Sequence, residues 1–334
     1  MNLLEIRNLS AHINTPGGVA RALDCVDLDV DEGETVGLVG ESGSGKTMLA
    51  LSILGLVPGG PKALQPGSSI RYQGEELVGL DGKGLRAYRG AKIAFVFQEP
   101  MTSLNPVFPI GDQVQESVKL HRDMKGKEAR AEVVRLLTEV GIRDAEARLD
   151  DYPHQFSGGM RQRVMIAMAL AGEPGLLVAD EPTTALDVTV ESQILTLLRD
   201  VQERSGMGLL FISHDLDVVA RVCRRTVVLY GGRVVEAGQT YEILTSPMHP
   251  YTRGLLGSRL TMDDRRTALR PIPGEVPEAT RWPGGCRFHP RCAQVHARCR
   301  TEEPSLAPMS AEGGVGSASR EVRCWLYSRE EGGT

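Results

Sequence analysis

The 334-residue sequence contains no run of 18 or more apolar residues, so no segment reads as a membrane-spanning helix. It has no excess of positive charge either. Its 38 Lys and Arg stand against 43 Asp and Glu, a formal net charge of −5, which argues against a nucleic-acid binder held by a broad basic surface. Met1-Asn2-Leu3-Leu4-Glu5 carries neither a basic n-region nor an apolar h-region, so a cytosolic chain is expected. In that setting the six cysteines are expected to be thiols or metal ligands rather than disulfides. The pattern G-x-x-x-x-G-K-[ST] occurs no more than once, which speaks against tandem duplication. What is present is ordinary for a soluble globular protein: 41% apolar and 24% charged residues, enough for one large or two medium domains.

The most informative stretch is Gly40-Glu41-Ser42-Gly43-Ser44-Gly45-Lys46-Thr47, which reads G-x-x-x-x-G-K-[ST] and follows the apolar run Thr35 to Val39. Without a Cβ at Gly43 or Gly45, backbone N–H groups can wrap a phosphate chain. Lys46 is placed to reach the β and γ phosphates, and the Thr47 hydroxyl to ligate Mg²⁺. Met48-Leu49-Ala50-Leu51-Ser52-Ile53-Leu54 favours helix, which puts the phosphates at a helix N-terminus.

Around this loop, residues 3–13 and 19–30 read as two strands, and Ile70 to Leu77 and Lys92 to Phe97 as two more. Asn105-Pro106 and Phe108-Pro109 punctuate a loop after the Glu99-Pro100 turn. Val133, Leu136, Leu137 and Val140 then recur at helical spacing before a Gly141 stop, so roughly residues 100–172 read as a helical insertion. Leu176-Leu177-Val178-Ala179 is a continuous apolar run suited to a parallel strand covered on both faces. Ile194, Leu197, Leu198 and Val201 mark an amphipathic helix, Gly208 to Ile212 the next strand, and Thr226 to Val235 a hairpin broken at Gly231-Gly232. Strands alternating with helices imply an α/β core with a parallel sheet. From about Thr245 periodicity is lost, and Gly313 to Ser319 reads as a flexible loop.

Asp180 and Glu181 follow that apolar run at a strand end, where ligands gather in open α/β sheets. Asp180 can hold Mg²⁺ through water, and Glu181 can polarise an attacking water. Phe156-Ser157-Gly158-Gly159-Met160-Arg161-Gln162-Arg163 resembles the signature of ATP-binding cassette ATPases, and the order phosphate loop, Gln98, signature, Asp180-Glu181, Asp187, His214 matches that family. The resemblance implies an α/β P-loop NTPase core with an N-terminal antiparallel β-subdomain and a helical subdomain at about 100–172. It implies a head-to-tail dimer of cassettes in which Ser157, Gly158, Gly159 and Met160 serve the partner's ATP. Gln98 would ligate Mg²⁺, His214 would contact the γ-phosphate, and Asp187 would lie in a loop crossing the interface. Read locally, Gln98 is also a strand-end amide, and Asp187 and Ser157 are also helix N-caps. Family members carry an aromatic for adenine where this chain has Ile13, leaving Ile13 or its neighbour His12 to meet the base.

The segment after residue 244 narrows the resemblance. Ser246-Pro247-Met248-His249-Pro250-Tyr251-Thr252 and Ile272-Pro273-Gly274-Glu275-Val276-Pro277 are similar to the extension of oligopeptide/dipeptide importer ATP-binding subunits. The division implied is a cassette over 1–244 and an extension over 245–334. Such subunits work at the cytoplasmic face of the membrane as peripheral proteins, with a second ATPase subunit (a paralogue or an identical chain), two transmembrane permease subunits and an extracytoplasmic solute-binding protein. No nucleic-acid partner is implied. Cys286, Cys292, Cys299 and Cys324 are separated by five, six and 24 residues, unlike the C-x₂-C pairs of zinc ribbons. They suit a [4Fe–4S] cluster, which some members of this subgroup hold, with Zn²⁺ or unligated thiols as the alternatives. A DNA-repair or translation-associated cassette ATPase is the rival. The former interposes long heptad coils where this chain has about 110 residues without them, and the latter normally carries two cassettes.

Overall fold

The computed structural model describes residues 2–98, 103–184, 186–258, 272–309 and 320–327. The Glu99-Pro100 turn, Ala185 and the Gly313 to Ser319 tract lie outside them. In chain order the described strands and helices are β1 (Asn2–Thr15), β2 (Gly18–Asp31), β3 (Thr35–Val39), α1 (Lys46–Ile53), β4 (Ser69–Tyr72), β5 (Glu75–Glu76), α2 (Gly82–Arg86), β6 (Ile93–Val96), α3 (Ile110–His121), α4 (Gly126–Glu139), α5 (Gly158–Leu170), β7 (Leu176–Asp180), α6 (Val188–Ser205), β8 (Gly208–Ser213), α7 (Leu216–Ala220), β9 (Arg225–Tyr230), β10 (Arg233–Gln239), α8 (Thr240–Thr245), α9 (Pro250–Gly257), α10 (Ala297–Thr301), β11 (Ala307–Met309) and β12 (Arg320–Val322). Contacts gather into two units. One comprises Met1–Glu5, Asp29–Thr35 and Arg71–Ile212; the other Ile6–Leu28, Val36–Ile70 and Ser213–Thr334.

In the first unit β6, β7 and β8 are parallel neighbours, with Ile93 opposite Leu176 and Leu176 opposite Gly208. Leu176 to Ala179 and Leu209 to Ile212 are fully buried, as continuous apolar runs require. The crossover from β6 to β7 carries α3, α4 and α5. Ile110, Val114 and Val118 are buried at four-residue intervals on α3, and Ala129, Val133, Leu136 and Leu137 on α4. α4 ends where Gly141, at φ +82°, donates its N–H to Thr138 O.

In the second unit β3 runs parallel to β9, and β9 and β10 form an antiparallel hairpin across Gly231 and Gly232, both at positive φ. Gly37 in β3 lets α7 approach: a Cβ there would collide with Val219 Cγ1. The C-terminal segment does more than lose periodicity. β12 pairs antiparallel with β10, and β11 with β12, so two three-residue strands extend this sheet. The extension is seated by aromatic packing. Tyr230 lies 4.7 Å from Tyr251 and 5.1 Å from Phe288 between ring centroids, with His249 5.7 Å from Phe288. Each such pair contributes roughly 0.5–1.5 kcal/mol beyond area burial.

His249 is the N-cap of α9, its Nδ1 accepting from Tyr251 N–H at 3.0 Å. Burial, with Arg323 and Arg253 nearby, pushes its pKa down to about 3. The imidazole is thus neutral when folded, whereas the unfolded chain protonates it below about pH 6.5. Stability present above that pH should fall at roughly 1.4 kcal/mol per pH unit as the pH drops toward 3. His249→Asn, which keeps a capping acceptor without a titrating ring, should flatten this acid limb. Thermal melts of both proteins between pH 7 and 5 check it; identical pH dependence would refute the assignment.

Candidate functional site

Gly43 and Gly45 of the phosphate loop sit at φ +79° and +107°, a region that L side chains avoid. Gly45 is also packed: an added Cβ would lie 2.7 Å from Ala22 O and 3.0 Å from Leu23 Cδ2. At Gly40 it would strike Leu229 O and lie 2.6 Å from Ser44 Oγ. The loop is tied to the β9–β10 turn by Gly232 N–H donating to Ser44 O at 2.8 Å. Lys46 is buried, and its Nζ donates to Gly40 O at 2.7 Å and Glu41 O at 3.1 Å. Ser44 Oγ is fully buried without a hydrogen-bond partner, a cost normally tolerated where a ligand completes the set. The cradle of N–H groups, the lysine and this orphan hydroxyl fit a polyphosphate. Thr47 and Met48 open α1 just behind them.

The first unit brings two sequence-predicted residues together. Gln98, just past β6, donates Nε2–H to Glu181 Oε2 at 3.0 Å, and Thr184 Oγ donates to the same oxygen at 2.9 Å. Two donors on one oxygen fix the carboxylate's orientation. Glu181 has φ +46°, a strained backbone for a residue with a long side chain, and such strain concentrates at functional sites. Asp180, the last residue of β7, is buried. Thr184 was not among the residues expected from sequence; only its place three residues after Glu181 could have signalled it.

Ser157 is the N-cap of α5, its Oγ accepting from Met160 N–H at 3.3 Å. Gly159 is set by packing on α6, because a Cβ there would meet Val190 Cγ1. Gly158 is looser, since a Cβ there would lie 3.6 Å from Leu186 Cδ2, an ordinary contact. Asp187 caps α6, its Oδ1 accepting from Thr189 and Val190 N–H, each at 3.0 Å. Both local cap readings therefore hold in this chain. His214 is exposed at the end of β8 in the second unit, ahead of Asp215, which caps α7.

Two further regions bear on ligands. His12 lines an open cavity of about 500 Å³ with Val19, Arg21, Ala279, Thr280, Arg281 and Trp282, and Ile13 is not on its wall. The cysteines share one neighbourhood: Cys286 N–H donates to Cys299 O at 2.9 Å, and Cys299 bears on the thiols of Cys286, Cys292 and Cys324. Burial pushes Cys286 up to about 12 and Cys324 up to about 11, and raises Cys292. Ligation needs thiolates. Among the described residues no group of three or more His, Cys, Asp or Glu is arranged to hold a metal ion, so the cysteines as placed do not fit a cluster or Zn²⁺.

Comparison with known proteins agrees with the geometry. The family described as ABC transporter matches residues 23–184, and the one described as oligopeptide/dipeptide transporter, C-terminal region, matches 235–299. An ATP-binding protein of Brucella abortus (strain 2308), named for peptide import, is 49% identical over 305 residues, 91% of each chain. The oligopeptide transport ATP-binding protein AppD of Bacillus subtilis (strain 168) is 44% identical over 328 residues, 98% of each chain. Among solved structures, the dimeric bacterial ABC transporter cassette MJ0796 matches with TM-score 0.63 at 30% identity, covering 71% of this chain and 98% of that one. The same cassette in a post-hydrolysis state with ADP and Pi matches equally.

Gly45→Ala tests the cradle. The strained φ and the contact with Ala22 O should displace the loop and weaken ATP binding by about 100-fold. Equilibrium titration with ATP reads this; unchanged affinity would show that the loop does not hold the nucleotide.

Proposed function

The chain belongs to the ABC transporter ATP-binding proteins of the oligopeptide/dipeptide group, and from that premise we propose that it hydrolyses ATP to power import of peptides or related solutes through separate membrane-spanning subunits. The observation that carries hydrolysis is Glu181 at the end of β7, with one carboxylate oxygen held by Gln98 and Thr184. In this reading the other oxygen takes a proton from water as that water's oxygen bonds to the γ-phosphorus. The bond between γ-phosphorus and the ADP oxygen breaks, yielding ADP and phosphate. Lys46 and the loop N–H groups hold the β and γ phosphates, and His214 contacts the γ-phosphate. Thr47, Gln98 and Asp180 are the residues that would hold Mg²⁺, which when bound neutralises charge on the phosphate oxygens.

The cassette over 1–244 pairs head to tail with a second ATPase subunit, a paralogue or an identical chain. Ser157, Gly158, Gly159 and Met160 form the N-terminus of the 13-residue helix α5 and face the partner's phosphates, and Asp187 lies at the interface. The dimeric state of the matched MJ0796 cassette supports this pairing. No helix among the described residues is long and apolar enough to cross a membrane; in this reading separate permease subunits supply the path. The match over 235–299 favours import over the DNA-repair and translation alternatives. An extracytoplasmic binding protein would deliver the solute, and this chain would act at the cytoplasmic face. Cys286, Cys292, Cys299 and Cys324 share one neighbourhood but are not arranged to hold a metal ion, so no cluster enters this reading; iron and absorbance assays on anaerobically purified protein test that.

Glu181→Gln should lower ATP turnover by about 10²–10⁴ while ATP still binds. Phosphate release and ATP titration on the same preparation check both halves, and near-normal hydrolysis would overturn the role given to Glu181.

A further inference from the structure

We propose that Arg291 and Tyr251, both in the C-terminal extension, are positioning residues for the phosphate loop: they fix Glu41, and through Glu41 the resting place of Lys46, so that ATP affinity is set in part from the extension. The inference rests on the ATPase reading above and adds residues to it that no loop motif contains.

Every polar group of Glu41 is engaged. Its backbone N–H donates to Tyr251 Oη at 2.7 Å. Its carboxylate accepts a two-pronged pair from Arg291, at 2.6 Å to Oε2 and 3.0 Å to Oε1. Its carbonyl accepts from Lys46 Nζ at 3.1 Å. One residue of the loop is therefore held by the extension at two points and holds the lysine at a third. A parallel fork of charge-assisted hydrogen bonds constrains direction as well as distance.

The extension presents these groups from a rigid base. The Arg291 side chain is 4% exposed and also donates to Pro273 O at 2.9 Å and Gly274 O at 3.1 Å. It ends the short 3₁₀ turn His289–Arg291 and lies over the Tyr230 ring. The Tyr251 ring is fully buried between Tyr230 and Phe288. The Glu41 side chain is 30% exposed, so water could serve it without Arg291. It is the buried guanidinium that needs a carboxylate, and the carboxylate it takes belongs to the phosphate loop. A second arm reinforces the first. Arg287 donates to Gly231 O and to Asp24, while Gly232 N–H holds Ser44 O, so the turn gripping the loop's other side is itself gripped by the extension.

The experiment measures ATP affinity and hydrolysis on full-length wild type and on Arg291→Ala, Arg291→Lys, Tyr251→Phe, Glu41→Ala and the double variant Glu41→Ala/Arg291→Ala. Arg291→Ala should weaken ATP binding about 10- to 100-fold and raise KM for ATP by more than it lowers kcat. Arg291→Lys, which keeps the charge but not the fork, should restore part of the loss. Tyr251→Phe keeps the ring packing and should weaken binding in the same direction even if Arg291→Ala folds poorly. The double variant should bind no worse than the weaker single one, because Arg291 acts through Glu41. Losses that add, or lowered melting temperatures with ATP affinity unchanged in Arg291→Lys and Tyr251→Phe, would overturn the proposal. If wild type itself neither binds nor hydrolyses ATP, it is the ATPase reading that fails.

Discussion

The phosphate loop depends on having no Cβ at the two glycines where its neighbours press closest, Gly40 and Gly45. Ala22 O lies 2.7 Å from the point a Gly45 Cβ would occupy, and Leu229 O and Ser44 Oγ crowd the corresponding point at Gly40. Backbone meets backbone on both flanks, so β2 and β9 press directly on the loop's backbone, while Tyr251 and Arg291 hold it at Glu41. Backbone N–H donors preorganised in this way stabilise phosphate charge without reorganising when it arrives. The helix that follows adds the dipole of α1 to the same point.

The two units divide the chemistry. In the second, the phosphate loop, the β9–β10 turn and the extension make one packed body. In the first, β7 delivers Asp180 and Glu181, and α5 and α6 begin at caps that leave their N-terminal N–H groups near the surface.

The extension is joined to β2 and to the phosphate loop by ion pairs in this structure. Its buried arginines, Arg287 and Arg291, find their carboxylates in β2 and in the phosphate loop. Removing one partner of such a pair leaves a desolvated charge. In the same extension, burial raises the pKa values of Cys286, Cys292 and Cys324.

What the sequence determined by itself was whatever depends on near neighbours. Glycines at fixed offsets make the loop at Gly40 to Thr47; unbroken apolar runs make β7 and β8; Ser157 and Asp187 cap the helices they precede. The α/β class follows from those alternations. Only the tertiary structure decided that Glu41 answers to Tyr251 and Arg291, which lie 210 and 250 residues away. It alone also showed that Arg320–Val322 and Ala307–Met309 extend the sheet at β10. Three-residue strands carry no readable period, and a charge pair across such a distance leaves no local pattern. Each exists because burial of distant segments against one another forces their polar groups to find partners.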